Sequence, residues 1–66
     1  MYDKKRIQTE MQQKGLYQKD LAEKTGLAPG TISRLMLSGR ARIETVEKVA
    51  EVLEVDFSEL AKDGNS

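Results

Sequence analysis

The 66-residue sequence predicts an all-α fold, a compact single domain of five short helices spanning residues 1–66. Apolar residues recur three and four positions apart, which is the helical period, and no stretch alternates long enough to indicate a strand. Gly15, Gly26 and Gly39 each follow such a periodic segment, at the point where a left-handed glycine commonly ends a helix. These two patterns define the predicted elements.

The first two helices are predicted over about residues 3–14 and 18–25. Asp3 is placed to cap the first helix, since a side-chain oxygen there accepts from an unpaired amide of the first turn. Ile7 and Met11 lie one turn apart and form its apolar face. The glycine after each helix provides its end.

The last three helices are predicted over about residues 29–37, 43–53 and 57–61. Proline occupies the first position of the third helix, where its missing N–H is no loss. The fourth helix carries an apolar stripe: Ile43, Val46, Val49, Ala50 and Leu53. It also carries a parallel acidic stripe: Glu44, Glu47, Glu51 and Glu54. Asp56 and Glu59 have the spacing of a capping box for the fifth helix.

The composition excludes several kinds of chemistry. Without Cys there are no disulfides, and without Cys and His a zinc site is not expected. General acid–base catalysis also loses its usual residue, so we expect no enzyme, cofactor or small-molecule ligand. The sequence has no long apolar stretch and no signal-peptide pattern, which predicts a cytoplasmic protein without a membrane partner.

Charge is distributed unevenly along the chain although the net charge is zero. Residues 1–42 contain nine basic and four acidic residues, whereas residues 43–66 contain two basic and seven acidic residues. Such a block asymmetry predicts two faces with different roles. Zero net charge alone would argue against a nucleic-acid partner, but a basic half does not.

The most specific segment is QKDLAEKTGLAPGTISRL, from Gln18 to Leu35. Two short helices joined by a tight turn need a small residue where they touch, and Ala22 provides it. The turn needs a residue that tolerates positive φ, which is Gly26, and an apolar plug, which is Leu27. This is the helix-turn-helix pattern, in which the second helix lies in the major groove of DNA.

From about Ile7 to Leu60 the sequence resembles the lambda-repressor-like, Cro-type helix-turn-helix domains, also called the XRE family. The matching segments are Gln18…Leu21-Ala22-Glu23-Lys24…Gly26, Thr31-Ile32-Ser33-Arg34-Leu35 and Glu44-Thr45-Val46…Val49-Ala50…Leu53…Val55. The resemblance implies sequence-specific binding of double-stranded DNA. It also implies a small transcriptional regulator, most simply a repressor, that acts as a homodimer on an operator.

The resemblance assigns base contacts to the start and outer side of the third helix: Pro29, Gly30, Thr31, Ser33 and Arg34. Pro29 and Gly30 occupy two usual base-reading positions but have no polar side chain, although Pro29 could touch a thymine methyl. We therefore expect Arg34 to be the main base reader, through the O6 and N7 acceptors of guanine. A plain contact between Arg34 and a phosphate is the alternative. For Thr31 and Ser33 the alternative is ordinary helix surface.

Phosphate contacts are assigned to Gln18, Lys19, Arg40 and Arg42. Gln18 opens the second helix, whose free N-terminal amides favour the same phosphate. The two arginines lie in the loop after the third helix and should give salt-dependent affinity with little sequence preference. Solvated surface is the alternative for Gln18 and for Lys19. The run 4–6 (Lys-Lys-Arg) is either a solvated first turn or a DNA-facing arm.

Three departures from the family pattern stand out. Tyr17 and Ala28 replace the Ser or Thr caps of the second and third helices, which removes an oxygen acceptor at each. Met11 and Met36 occupy positions where many members have an Arg–Glu pair, so we expect these side chains to touch. Leu37 is either exposed near the DNA or covers the following loop.

The C-terminal region is more apolar than a short terminal helix requires. Part of this apolar surface is expected to complete the core. Val55, Phe57 and Leu60 are assigned to a dimer interface, by which two recognition helices would lie about 34 Å apart in successive major grooves. The acidic stripe is interpreted as a solvated face, with docking of a protein as the alternative. The alternative function for the whole chain is a protein-binding module, such as an antitoxin or anti-regulator with the same fold.

Overall fold

A computed structural model describes residues 2–61, which contain five α-helices and no strand. The helices are α1 (Lys4–Gln13), α2 (Gln18–Thr25), α3 (Pro29–Ser38), α4 (Ile43–Leu53) and α5 (Phe57–Ala61). The predicted all-α class is confirmed, and α2, α4 and α5 have the predicted bounds. Residue 1 and residues 62–66, which we assigned to the same domain, lie outside the described residues. Within residues 2–61 no helix is long and apolar enough to cross a membrane.

All five helices contribute to one apolar core. Its residues are Ile7, Met11, Leu21, Ala22, Ile32, Leu35, Val46, Val49, Ala50, Leu53 and Leu60. α3 packs against α1 and α2, α4 packs against α2 and α5, and α5 also packs against α1. The three- and four-residue spacing of these side chains places them on one side of each helix, as the sequence pattern predicts.

One member of the predicted core stripe is on the surface. Ile43 is 57% exposed, so its assignment to the core was wrong. It is the first residue of α4, and near this end of the helix Thr45 is buried while half-buried Ala41, in the preceding loop, packs against the core. Helical periodicity identifies the inner side of α4 but does not show where the packing against its neighbours stops.

The helix ends confirm most of the predicted caps. The Asp3 carboxylate accepts a hydrogen bond from the Arg6 N–H at 3.0 Å, which caps α1. Neither Tyr17 nor Ala28 makes a side-chain cap bond, as predicted. At α2 the Asp20 carboxylate partly compensates, because it accepts from the Tyr17 N–H at 2.9 Å.

An ion-pair network joins α1 to α5, and we call it the α1–α5 seam (Arg6, Glu10, Lys14 and Glu59). Arg6 Nε donates to Glu10 at 3.0 Å, Lys14 Nζ donates to the other oxygen of Glu10 at 2.8 Å, and Arg6 also pairs with Glu59. The Glu59 carboxylate thus pairs across to α1, and its part in the predicted capping box of α5 stays a prediction. Hydrogen bonds from Lys14 and then Arg6 lower the pKa of Glu10.

The N-terminal residues also hold the end of α3. The Tyr2 N–H donates to the Gly39 carbonyl at 2.7 Å, and Lys4 Nζ donates to the Leu37 carbonyl at 2.7 Å. These bonds pair carbonyls that a helix end leaves without partners. Lys4 and Arg6 therefore make contacts within the chain, and the alternative of a DNA-facing arm stays a prediction.

Candidate nucleic-acid interface

The segment from α2 to α3 has the geometry that its sequence predicts. Gly26 adopts φ 77°, in the left-handed region, and reverses the chain after α2. Ala22 is buried where the two helices meet, and the Leu27 N–H donates to its carbonyl at 3.2 Å. The Leu27 side chain packs against the core. Ile32 is buried on the inner side of α3, so the opposite side of this helix faces outward.

The exposed side of α3, which we call its outer face, consists of Gly30, Ser33, Arg34 and Leu37. These residues are three or four positions apart and therefore share one side of the helix. Gly30, Arg34 and Leu37 are exposed and Ser33 is half-buried. Of the other predicted base-contacting residues, Pro29 is exposed in the first turn and Thr31 is half-buried on the flank. The five predicted residues thus lie together at the start and outer side of one helix.

A cleft of about 550 Å³ lies between the start of α3 and the loop that joins it to α4. Arg34, Arg40 and Arg42 all line it, and we call it the arginine cleft. The ion pairs among residues 2–61 involve none of these three arginines. Three exposed positive charges without a carboxylate partner in this part of the chain suit an anionic strand.

The other two predicted phosphate-contacting residues lie elsewhere. Gln18 and Lys19 are exposed at the start of α2, and Gln18 lines a second cleft, of about 350 Å³. We call it the amide cleft, because Gln8 and Gln12 of α1 line it as well. These two glutamines were not among the predicted site residues, although their spacing of one helical turn next to Met11 indicates a shared surface.

The amide cleft is also where the two unusual methionines lie. Met11 is 5% exposed and Met36 is half-buried, and both line this cleft. α1 packs against α3 at this place. The direct contact between the two methionine side chains stays a prediction.

The predicted dimer residues are not equally accessible. Leu60 is fully buried in the core, because α5 packs against both α1 and α4, so its assignment to an interface surface was wrong. Val55 and Phe57 are half-buried and can be reached from outside. The Phe57 ring already packs edge-on against Tyr2, with ring centroids 6.0 Å apart. The four glutamates of the acidic stripe on α4 and its end are exposed.

Comparison with known proteins identifies the class to which this fold and surface belong. The helix-turn-helix family model matches residues 7–60, and the chain belongs to this family. The solved structure of the N-terminal DNA-binding domain of SinR from Bacillus subtilis is similar, with 31% identity and a TM-score of 0.82. The alignment covers 96% of this chain and 94% of that one. A search of curated proteins finds no match.

Proposed function

We propose that residues 1–66 form one DNA-binding domain, and that the protein is a transcriptional regulator that binds a specific double-stranded DNA site. The observation that most directly supports DNA binding is the arginine cleft beside the outer face of α3, in a chain of the helix-turn-helix family. The similarity to the SinR DNA-binding domain supports the same function. Repression by occupation of an operator, in the cytoplasm, is the simplest form of this activity.

The three arginines of the cleft have two different roles. Arg34 is on the outer face of α3 and reads guanine in the major groove through its two parallel donors. Arg40 and Arg42 lie in the loop and bind phosphates, together with Gln18 and Lys19 at the start of α2. Thr31 and Ser33 add shorter-range polar contacts.

Gly30 and Pro29 contribute by being small and close to the surface. A Cβ at position 30 would have no neighbouring atom within 4 Å, so the backbone there faces open space. A helix without a side chain at this position can approach the floor of the groove closely. We propose that the two residues act by allowing this close approach and not by forming hydrogen bonds to bases.

The proposed regulator acts as a homodimer. Val55 and Phe57 provide half-buried apolar surface near the C-terminal helix, which a second copy would cover. Two recognition helices about 34 Å apart would then fit successive major grooves of an inverted repeat. Sedimentation of the free protein and of its complex tests this part, and one chain per operator in the complex would contradict it.

The central experiment is selection of bound sequences from random duplex DNA, followed by titration at several salt concentrations. Arg34→Ala should lower affinity by about 5- to 150-fold, equivalent to about 1–3 kcal/mol, and relax the preference at one base pair. Arg40→Ala should weaken binding to all sequences and reduce the salt slope by about one. Lys48→Ala, on the acidic side of α4, is the control and should change neither.

One observation favours the alternative of a protein-binding module such as an antitoxin or anti-regulator. The outer face of α3 has no polar side chain at Gly30 and an apolar one at Leu37, which also suits a protein surface. In that case, titration at low salt would show no DNA binding. The proposed regulator instead requires binding that weakens steeply as salt increases.

A further inference from the structure

Leu37 is an apolar side chain where the proposed DNA interface would be. It is 75% exposed, the highest value among the large apolar residues of the described chain. Single exposed leucines are common, so exposure alone indicates nothing. What distinguishes Leu37 is its position, because it shares the outer face of α3 with Arg34 and Gly30.

The structure also shows that the backbone that carries this side chain is held in place. The Leu37 carbonyl accepts from Lys4 Nζ at 2.7 Å, and the Gly39 carbonyl accepts from the Tyr2 N–H at 2.7 Å. Both bonds hold the last turn of α3 to the N-terminal residues. Leu37 therefore belongs to an anchored helix end and not to a frayed one.

The distance from Arg34 sets the reach of Leu37 along the groove. Three helical residues correspond to about 4.5 Å along the helix axis. Base pairs stack about 3.4 Å apart, so the two side chains address base pairs that are at most two steps apart. A leucine has no hydrogen-bond donor for a phosphate, and the apolar group that the major groove offers is the C5-methyl group of thymine.

We propose that Leu37 is a specificity-determining residue that contacts a thymine methyl group within two base pairs of the base pair that Arg34 reads. This inference rests on the proposed function. It adds a second apolar contact, at the other end of α3 from Pro29, to a readout in which Arg34 is the main base reader. The contact would favour thymine over cytosine, which presents no methyl group in the groove.

The test removes only the methyl group from the DNA. In the selected site, each thymine is replaced in turn by deoxyuridine, and the affinity of the unchanged protein is measured. We expect one position near the Arg34-dependent base pair to lose about fourfold, which corresponds to one apolar carbon at about 0.8 kcal/mol. Leu37→Ala should remove the difference between thymine and deoxyuridine there, and Leu37→Met should largely keep it.

The outcomes separate the inference from the proposed function. If the protein binds a selected site but deoxyuridine has no effect anywhere, Leu37 does not read a methyl group and the inference is overturned. A penalty that persists in Leu37→Ala overturns it as well, because another residue then makes the contact. If no DNA binds at low salt, the proposed function fails and the inference fails with it. Circular dichroism of both variants checks that α3 is intact.

Discussion

Two arginines of this small domain, Arg6 and Arg34, have different surroundings. Arg6, in the α1–α5 seam, binds Glu10 and Glu59 within the chain. Arg34, on the outer face of α3, takes part in none of the ion pairs among residues 2–61 and lines an open cleft with Arg40 and Arg42. The same residue type thus joins helices in one region and stays available in the other.

The difference separates stability from proposed function. Around the seam, buried Leu60 and the packed rings of Tyr2 and Phe57 accompany the ion pairs, so changes there should alter folding. The outer face of α3 contributes little to the core, so changes there should alter binding. Four substitutions test this division, from the largest expected effect to the smallest.

Leu60→Ala, in the core beside the α1–α5 seam, should have the largest effect on stability. Removing a fully buried leucine costs about 2–5 kcal/mol, which is a large share of the stability of such a small domain. Denaturant unfolding followed by circular dichroism measures the loss. Leu37→Ala is the matched control and should change the free energy of unfolding by no more than about 0.5 kcal/mol. Equal losses in both variants would contradict the division.

Met36→Glu tests the inner side of α3, opposite its outer face. Met36 is half-buried and lines the amide cleft together with Met11. A carboxylate placed there loses hydration without gaining a partner, which should cost about 1–3 kcal/mol. Leu37→Glu, one residue away but exposed, should be close to neutral. If Met36→Glu leaves the melting temperature almost unchanged, the predicted contact between the two methionines is contradicted.

Glu10→Gln should lower stability by less than Met36→Glu, and its effect should depend on pH. Hydrogen bonds from Lys14 and Arg6 hold the pKa of Glu10 below its ordinary value of 4.5. The charged carboxylate therefore stabilises the fold above about pH 4.5, and this contribution disappears as pH falls towards the lowered pKa. Melting temperatures of the two proteins should converge in acid. A constant difference across pH would show that packing, not charge, is responsible.

Glu54→Gly should give the smallest change, and a favourable one. Glu54 ends α4 at φ 62°, in the left-handed region that costs a side chain about 1–2 kcal/mol and costs glycine little. After the greater chain entropy of glycine is subtracted, we expect a gain of about 0.5–1 kcal/mol in unfolding free energy. DNA affinity should not change, since Glu54 lies outside both clefts. A loss of stability would indicate that the Glu54 side chain makes a contribution of its own.

The sequence predicted the fold better than the surfaces. Helix bounds follow from spacing, from caps such as Asp3 and from glycines such as Gly26, all of which act locally. The roles of Arg6 and Glu59 could not be predicted, because their pairing joins residues 53 positions apart. The burial of Leu60 was missed for the same reason, since it depends on how α5 docks. The amide cleft likewise exists only once α1 lies beside α3.

The long sequence separation across the α1–α5 seam has a consequence for folding kinetics. α2 and α3 are neighbours in sequence and can pair early, whereas the seam closes a loop that spans most of the chain. Contacts between distant residues form late, because the entropy of closing the loop must be lost first. We therefore expect Leu60→Ala to accelerate unfolding more than it slows refolding. The α1–α5 seam would then act mainly on the lifetime of the folded state.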